Sequence, residues 1–297
     1  MSQQPTGKAA TGVIGLGVMG HPMAANLLRS GSAVHITGRS RAKYGDLIAA
    51  GAAWHDTARS LADAVGAIVL MLPDLPEVEV VLNGPDGILA GRLDDLLLII
   101  ASTSSPIGVR DLAQRLARET GGRVRVIDAP VSGGSEGAQA GTLSIMVGGD
   151  GRDVSDAWPV LTACGNPVHL GPLGSGQVAK ACNQMIVAST ILALGEAAVL
   201  ADRSGLNLTA LFDLLAGGYA GSRILSTRGE RLVTEDYSPS GPAKYMVKDL
   251  DFATAVAAGT DSHPVLLPAV KAAFDELVAR GLGDLDIAVT RRFISQR

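Results

Sequence analysis

Lys180, Asn183 and Gln184 lie within an apolar stretch running from Val178 to Val187. On a helix, spacings of three and four residues place all three on one face. A lysine among apolar neighbours is partly desolvated, which lowers its pKa toward the range useful for proton transfer. The plainer reading is that Lys180 extends to solvent, the common fate of a lone lysine. A second group is Ser132-Gly133-Gly134, in the segment from Asp128 to Ala138. Consecutive glycine amides beside a hydroxyl can bind a carboxylate without net protein charge; otherwise the segment is an ordinary turn. A third is Gly15-Leu16-Gly17-Val18-Met19-Gly20, a GxGxxG pattern. Its glycines allow a tight turn, close approach of backbone to a diphosphate, and close packing of the next helix. About 20 residues on, where an acidic residue would bind a ribose 2′-OH, the chain has Gly38-Arg39-Ser40. Arg39 with the Ser40 hydroxyl suits a 2′-phosphate instead, so NADP is favoured and NAD remains possible.

The surrounding elements fit these roles. Thr11–Leu16 predicts a strand before the glycine turn, and 18–30 a helix after it. Strands are expected at 33–37, 67–72, 96–101, 124–128 and 143–147, several as continuous apolar runs typical of strands covered on both faces. Helices are expected at 41–50 and at 106–119, the latter with proline at its start. This alternation predicts an α/β Rossmann-like doubly wound sheet over 1–172. From 173 to 297 the patterns are helical throughout, beginning with one long helix to about Ser204, so an all-α C-terminal domain follows. Further helices are expected at 208–216, 220–233, 244–258, 264–280 and 284–292.

The composition excludes several classes of function. The 297 residues are 47% hydrophobic, 18% charged and 3% aromatic, with a net charge of −4, which describes a globular chain rather than a disordered one. With no basic block, neither a nucleic-acid partner nor an acidic membrane surface is expected. Cys164 and Cys182 are too few for a disulfide framework, and the five histidines show no metal-ligand spacing. No Tyr-x-x-x-Lys pair is present to carry hydride-transfer chemistry by another route. No leader segment is recognised, and the long apolar run from Met185 to Ala201 is interrupted by Glu196, so a cytoplasmic compartment is expected.

Several motifs stand in a fixed order: GVIGLGVMGHPMAANLL at 12–28, MLP at 71–73, DAPVSGG at 128–134, GAQAGTLSIMVGGD at 137–150, GSGQVAKACNQ at 174–184 and KDL at 248–250. With these the chain resembles the β-hydroxyacid dehydrogenase family from Gly12 to about Thr290. GGYAGSRIL at 217–225, GLG at 281–283 and Gln184 look most like its tartronate semialdehyde (2-hydroxy-3-oxopropionate) reductases.

The resemblance implies NAD(P)-linked interconversion of a small 3-hydroxy acid and its semialdehyde. A 3-hydroxyisobutyrate, threonate or β-hydroxy amino acid substrate is the alternative. It casts Lys180 as the general acid/base. Ser132, Gly133, Gly134, Asn183 and Ser222 become substrate contacts. Leu72, Pro73, Thr103 and Lys248 join Gly15–Gly20, Arg39 and Ser40 around the cofactor. It also implies a homodimer or homotetramer. Two departures stand out: Ile100 occupies the place of an aspartate, and Gly38 that of an asparagine. A competing reading, a nucleotide-sensing scaffold without chemistry, has no need of Lys180.

Overall fold

The computed structural model describes residues 10–297. Its internal contacts divide it into two units, one ending at Lys180 and the other Ala181–Arg297. The division falls eight residues beyond the compositional boundary at 172/173.

The first unit is built on a nine-stranded sheet. In chain order its elements are β1 (Thr11–Ile14), α1 (Gly20–Arg29), β2 (Val34–Thr37), α2 (Gly45–Ala49), β3 (Ala53–Trp54), α3 (Ala58–Ala62), β4 (Ala67–Leu70), α4 (Leu75–Leu82), β5 (Leu96–Ile100), α5 (Pro106–Thr120), β6 (Val124–Asp128), β7 (Val131–Ser132), α6 (Gly134–Ala140), β8 (Leu143–Gly148), α7 (Gly151–Cys164) and β9 (Gly165–Gly171). The order across the sheet is β3-β2-β1-β4-β5-β6-β8-β7, with β9 paired to β8. From β3 to β6 all pairs are parallel, and the order reverses beside β1, as in doubly wound nucleotide-binding sheets.

Alternate side chains of these strands enter two separate cores. Val13, Val69, Leu97, Ile99 and Ile127 join Met23 and Leu27 of α1 and Leu161 of α7 on one face. Ile14, Ile68, Leu70, Leu98 and Val126 join Leu61, Val78, Val109 and Leu116 on the other. Continuous apolar runs are therefore required, because both faces are covered.

Beyond β6 the sheet departs from the parallel expectation. β8 runs antiparallel to β6 and to β7. β7 follows β6 after only two residues and keeps its direction, and the chain then turns back through α6, so that β8 lies between the two and runs against both.

α8 (Ser175–Arg203) begins in the first unit and continues into the second. It is the one helix among the described residues long and apolar enough to cross a membrane. Within the chain 39% of its most apolar eighteen-residue window is buried, and Ile186 and Leu200 are exposed. The second unit adds α9 (Leu208–Ala216), α10 (Arg223–Thr234), α11 (Lys244–Gly259), α12 (Leu267–Ala279) and α13 (Thr290–Ser295). Phe212, Leu232, Leu250, Phe274 and Phe293 anchor its core.

Candidate active site

Thr37, Ile14, Leu70, Ile100 and Asp128 are register partners in sequence across five parallel strands. All five strands therefore end on one line, and the segments that follow them emerge along a single sheet edge. Those segments hold Gly38-Arg39-Ser40, the 15–20 turn, Met71-Leu72-Pro73, the stretch around Thr103, and the Ser132 loop. In open α/β sheets this carboxyl edge, at the point where strand order reverses, is where ligands bind.

The glycine turn fits a dinucleotide diphosphate. Gly15 has φ +96°, and a Cβ there would stand 2.1 Å from the Met71 carbonyl oxygen; at Gly20 it would stand 2.1 Å from that of Gly15. Both glycines are demanded by the fold itself. Gly17 is different: a Cβ there would meet nothing within 4 Å. Packing does not explain this glycine, whereas close approach of a diphosphate to its backbone does. α1 then presents its N-terminal, electropositive end to the same turn.

Arg39 is exposed and Ser40 half-buried just beyond β2. Gly38 has a steric reason: a Cβ would lie 2.8 Å from Cε2 of Tyr44, whose ring stacks on Trp54. The asparagine common in the family at this place would collide with that ring. Ile100, at the other departure, is fully buried in the second face's core.

Lys180 is buried, with 7% of its surface exposed, and its Nζ donates to the Val131 carbonyl oxygen at 2.8 Å. The expectation that it extends to solvent is thereby excluded. Val131 directly precedes Ser132 on β7, so the amine stands beside the serine–glycine loop. Gly133 and Gly134 both have positive φ, +133° and +66°, conformations that glycine adopts at little cost. Asn26 of α1 donates to the Ala138 carbonyl oxygen at 2.7 Å and so holds the far end of the loop.

Three residues central to this arrangement had no assigned role in the sequence reading. Asp128 is fully buried, and its two carboxylate oxygens accept from the amides of Gly174 and Gln177, each at 2.7 Å. Burial pushes its carboxyl up to about 6, although those amide bonds and the Arg110 charge pull the other way. The Gln177 side chain donates to the Ser102 carbonyl oxygen at 2.8 Å and accepts from the Ser104 amide at 2.9 Å, bracketing Thr103. Ser102 Oγ in turn accepts from the Leu72 amide at 3.0 Å. The partners are separated by 30 to 75 positions in the chain, so no local pattern reveals them. The aspartate lies inside a quoted motif, but its capping role needs the fold.

The helical unit carries the other residues. Asn183 Nδ2 donates to Gln184 Oε1 at 2.8 Å, and Gln184 Nε2 donates to the buried Asp249 at 2.6 Å. Lys248 Nζ stands 4.0 Å from the same carboxylate and lies over the Phe252 ring. These four polar groups form one chain. Ser222 lies at the N-terminus of α10, where its Oγ accepts from the Leu225 amide at 3.1 Å, a capping bond.

Comparison with known proteins matches the same segments. Residues 10–174 match the NAD binding domain of 6-phosphogluconate dehydrogenase, and residues 174–294 match the NAD-binding region of NADP-dependent 3-hydroxyisobutyrate dehydrogenase. The chain belongs to the β-hydroxyacid dehydrogenase family. It is 40% identical over 243 residues to 2-hydroxy-3-oxopropionate reductase of Escherichia coli, covering 82% of each chain. Among solved structures it is similar to 3-hydroxyisobutyrate dehydrogenase of Salmonella typhimurium, with a TM-score of 0.86 and 26% identity over 95% of this chain and 99% of that one. It is also similar to 3-hydroxyisobutyrate dehydrogenase of Mycobacterium tuberculosis with L-serine, with a TM-score of 0.81 and 31% identity over 96% and 99%. As a member of this family it is an NAD(P)-dependent oxidoreductase with a Rossmann-like N-terminal domain and a helical C-terminal one.

Proposed function

We propose that this enzyme prefers NADP and interconverts a small 3-hydroxy acid with its semialdehyde, tartronate semialdehyde being the leading substrate. One observation carries the reading: a buried amine, Nζ of Lys180, hangs beside the Ser132-Gly133-Gly134 loop. The loop's amides and hydroxyl take the substrate carboxylate, which fixes the rest of a small molecule relative to the amine. In reduction Lys180 gives its proton to the aldehyde oxygen; in oxidation it removes the alcohol proton. Asn183, one turn further along α8, and Ser222 hold the remaining polar groups of the substrate. Gly15–Gly20 hold the diphosphate, Arg39 and Ser40 the 2′-phosphate, and Leu72, Pro73, Thr103 and Lys248 the nicotinamide half. When bound, that cofactor supplies or accepts the hydride.

The 40% identity to a 2-hydroxy-3-oxopropionate reductase supports the choice of substrate. The L-serine in the mycobacterial relative favours a second reading, a 3-hydroxyisobutyrate or β-hydroxy amino acid substrate. The test is kcat/KM for glycerate, 3-hydroxyisobutyrate, threonate and L-serine, each with NAD and with NADP. The highest value is expected for glycerate with NADP. A higher value for serine or 3-hydroxyisobutyrate moves the assignment to the second reading, and silence on all four leaves a nucleotide sensor.

A further inference from the structure

Two short stretches of the first unit are bonded to each other at both ends. Residues 128–131 leave the end of β6, and residues 177–180 lie within the first two turns of α8. At one end the Gln177 amide donates to Asp128 Oδ2, and at the other Lys180 Nζ donates to the Val131 carbonyl oxygen. Asp128 Oδ1 also receives the Gly174 amide, just before the helix begins. The space around this carboxylate is filled. A Cβ at Gly148 would come within 2.4 Å of Oδ1, and one at Gly176 within 2.8 Å of Oδ2. Asp128 thus ties the start of α8 to the end of β6 through both of its carboxylate oxygens.

We infer that Asp128 is the positioning residue for Lys180, and that Gln177 extends the same clamp to the strand-end segment carrying Thr103. This rests on the proposal that Lys180 transfers the substrate proton. An ionised carboxylate accepts from both amides at once, whereas a carboxylic acid directs an O–H at one of them and loses that bond. A displacement of the order of 1 Å at a proton-donating group costs about a hundredfold in rate. The charged side chain facing the carboxylate is Arg110 of α5, which also overlies Gly174.

Read in the reductive direction, pH separates the two groups. A proton donor such as Lys180 loses activity as pH rises. Loss of the Asp128 clamp instead lowers activity as pH falls through about 6.

The experiment compares wild type with Asp128→Asn, Gln177→Leu and Lys180→Ala, measuring kcat and KM for aldehyde reduction from pH 5 to 9. Cofactor affinity is followed by fluorescence, and folding by circular dichroism. Wild type is expected to lose kcat below about pH 6. Asp128→Asn is expected to lack that acid limb and to run about a hundredfold slower in kcat at pH 7.5. Gln177→Leu is expected to keep the acid limb while kcat falls about tenfold or more. An acid limb that survives in folded Asp128→Asn, or a wild-type kcat there, overturns the inference. If Asp128→Asn does not fold, the test rests on the other two measurements: a flat wild-type profile below pH 7, or an unchanged Gln177→Leu kcat, overturns it. Lys180→Ala with near-wild-type turnover removes the underlying reading instead, whatever the Asp128 variant does.

Discussion

Nζ of Lys180 and the carbonyl oxygen of Val131 lie 2.8 Å apart, so the amine is tethered to the residue immediately before Ser132. Under the proposed function this bond is exchanged for one to a substrate oxygen, which a neutral carbonyl partner permits. Lys180→Ala is therefore expected to bind cofactor as wild type does while turnover falls about a thousandfold, within the range of general acid–base effects. Cofactor titration beside steady-state kinetics checks both halves; a parallel loss of cofactor affinity would show the lysine acting through the fold.

The glycine turn offers a contrast between two substitutions of the same chemistry. Gly15→Ala forces a Cβ against the Met71 carbonyl oxygen at positive φ and is expected to destabilise the fold by about 3 kcal/mol. Gly17→Ala meets nothing within the chain, so its melting temperature should stay close to wild type while the cofactor KM rises at least tenfold. Thermal denaturation with cofactor titration separates the two. Equal effects would mean that Gly17 answers to the fold and not to the diphosphate.

Cofactor choice is expected to follow Arg39. A guanidinium–phosphate contact is a charge-assisted hydrogen bond contributing about 1.5–3 kcal/mol. Arg39→Asp should therefore lower kcat/KM for NADP by about ten- to a hundredfold and raise that for NAD. An unchanged ratio of the two would assign the 2′-phosphate to other residues.

Asp128 also links stability to pH. Its carboxyl is raised from 3.8 to about 6, so between those values the folded chain holds a proton that the unfolded chain has released. The stability from this site is fully present below about pH 4, declines as pH rises to about 6, and is constant above. The amount lost is roughly 3 kcal/mol. Asparagine cannot titrate, so the unfolding free energy of wild type minus that of Asp128→Asn should be larger at pH 4 than at pH 7 by about that amount. Urea unfolding at the two pH values measures it, and a difference independent of pH would contradict the raised carboxyl.

Much of the fold was legible because its signals are local. The Gly15–Gly20 turn follows a strand and opens a helix, and Leu96–Ile100 is apolar at every position, as a strand covered on both faces must be. The α9 boundaries, Leu208–Ala216, coincide with the expected segment. What escaped was set by tertiary contact. β9 reads Gly-Asn-Pro-Val-His-Leu-Gly, poor strand material, and exists because β8 supplies its ladder. α7 holds Pro159 within it, which hides the helical pattern. The expected helix over 41–50 is a 3₁₀ turn at Arg41–Tyr44 followed by α2, with the Tyr44 ring turned back over Gly38. In the candidate site the lysine and the glycines were visible as residue types. Asp128 and Gln177 were not, because their partners lie as many as 75 positions away.

The helix that carries Lys180 is shared unevenly: six of its residues belong with the sheet and the remainder with the helical bundle. A chimaera joined just after Lys180 would inherit the amine, its carboxylate anchor and the diphosphate turn as one uninterrupted gene segment. Asn183, Gln184 and Ser222 would arrive with whatever bundle is grafted on. If Lys180 handles the proton as proposed, such a chimaera keeps the amine and the carboxylate loop together while the bundle is exchanged, and its seam lies within one continuous helix.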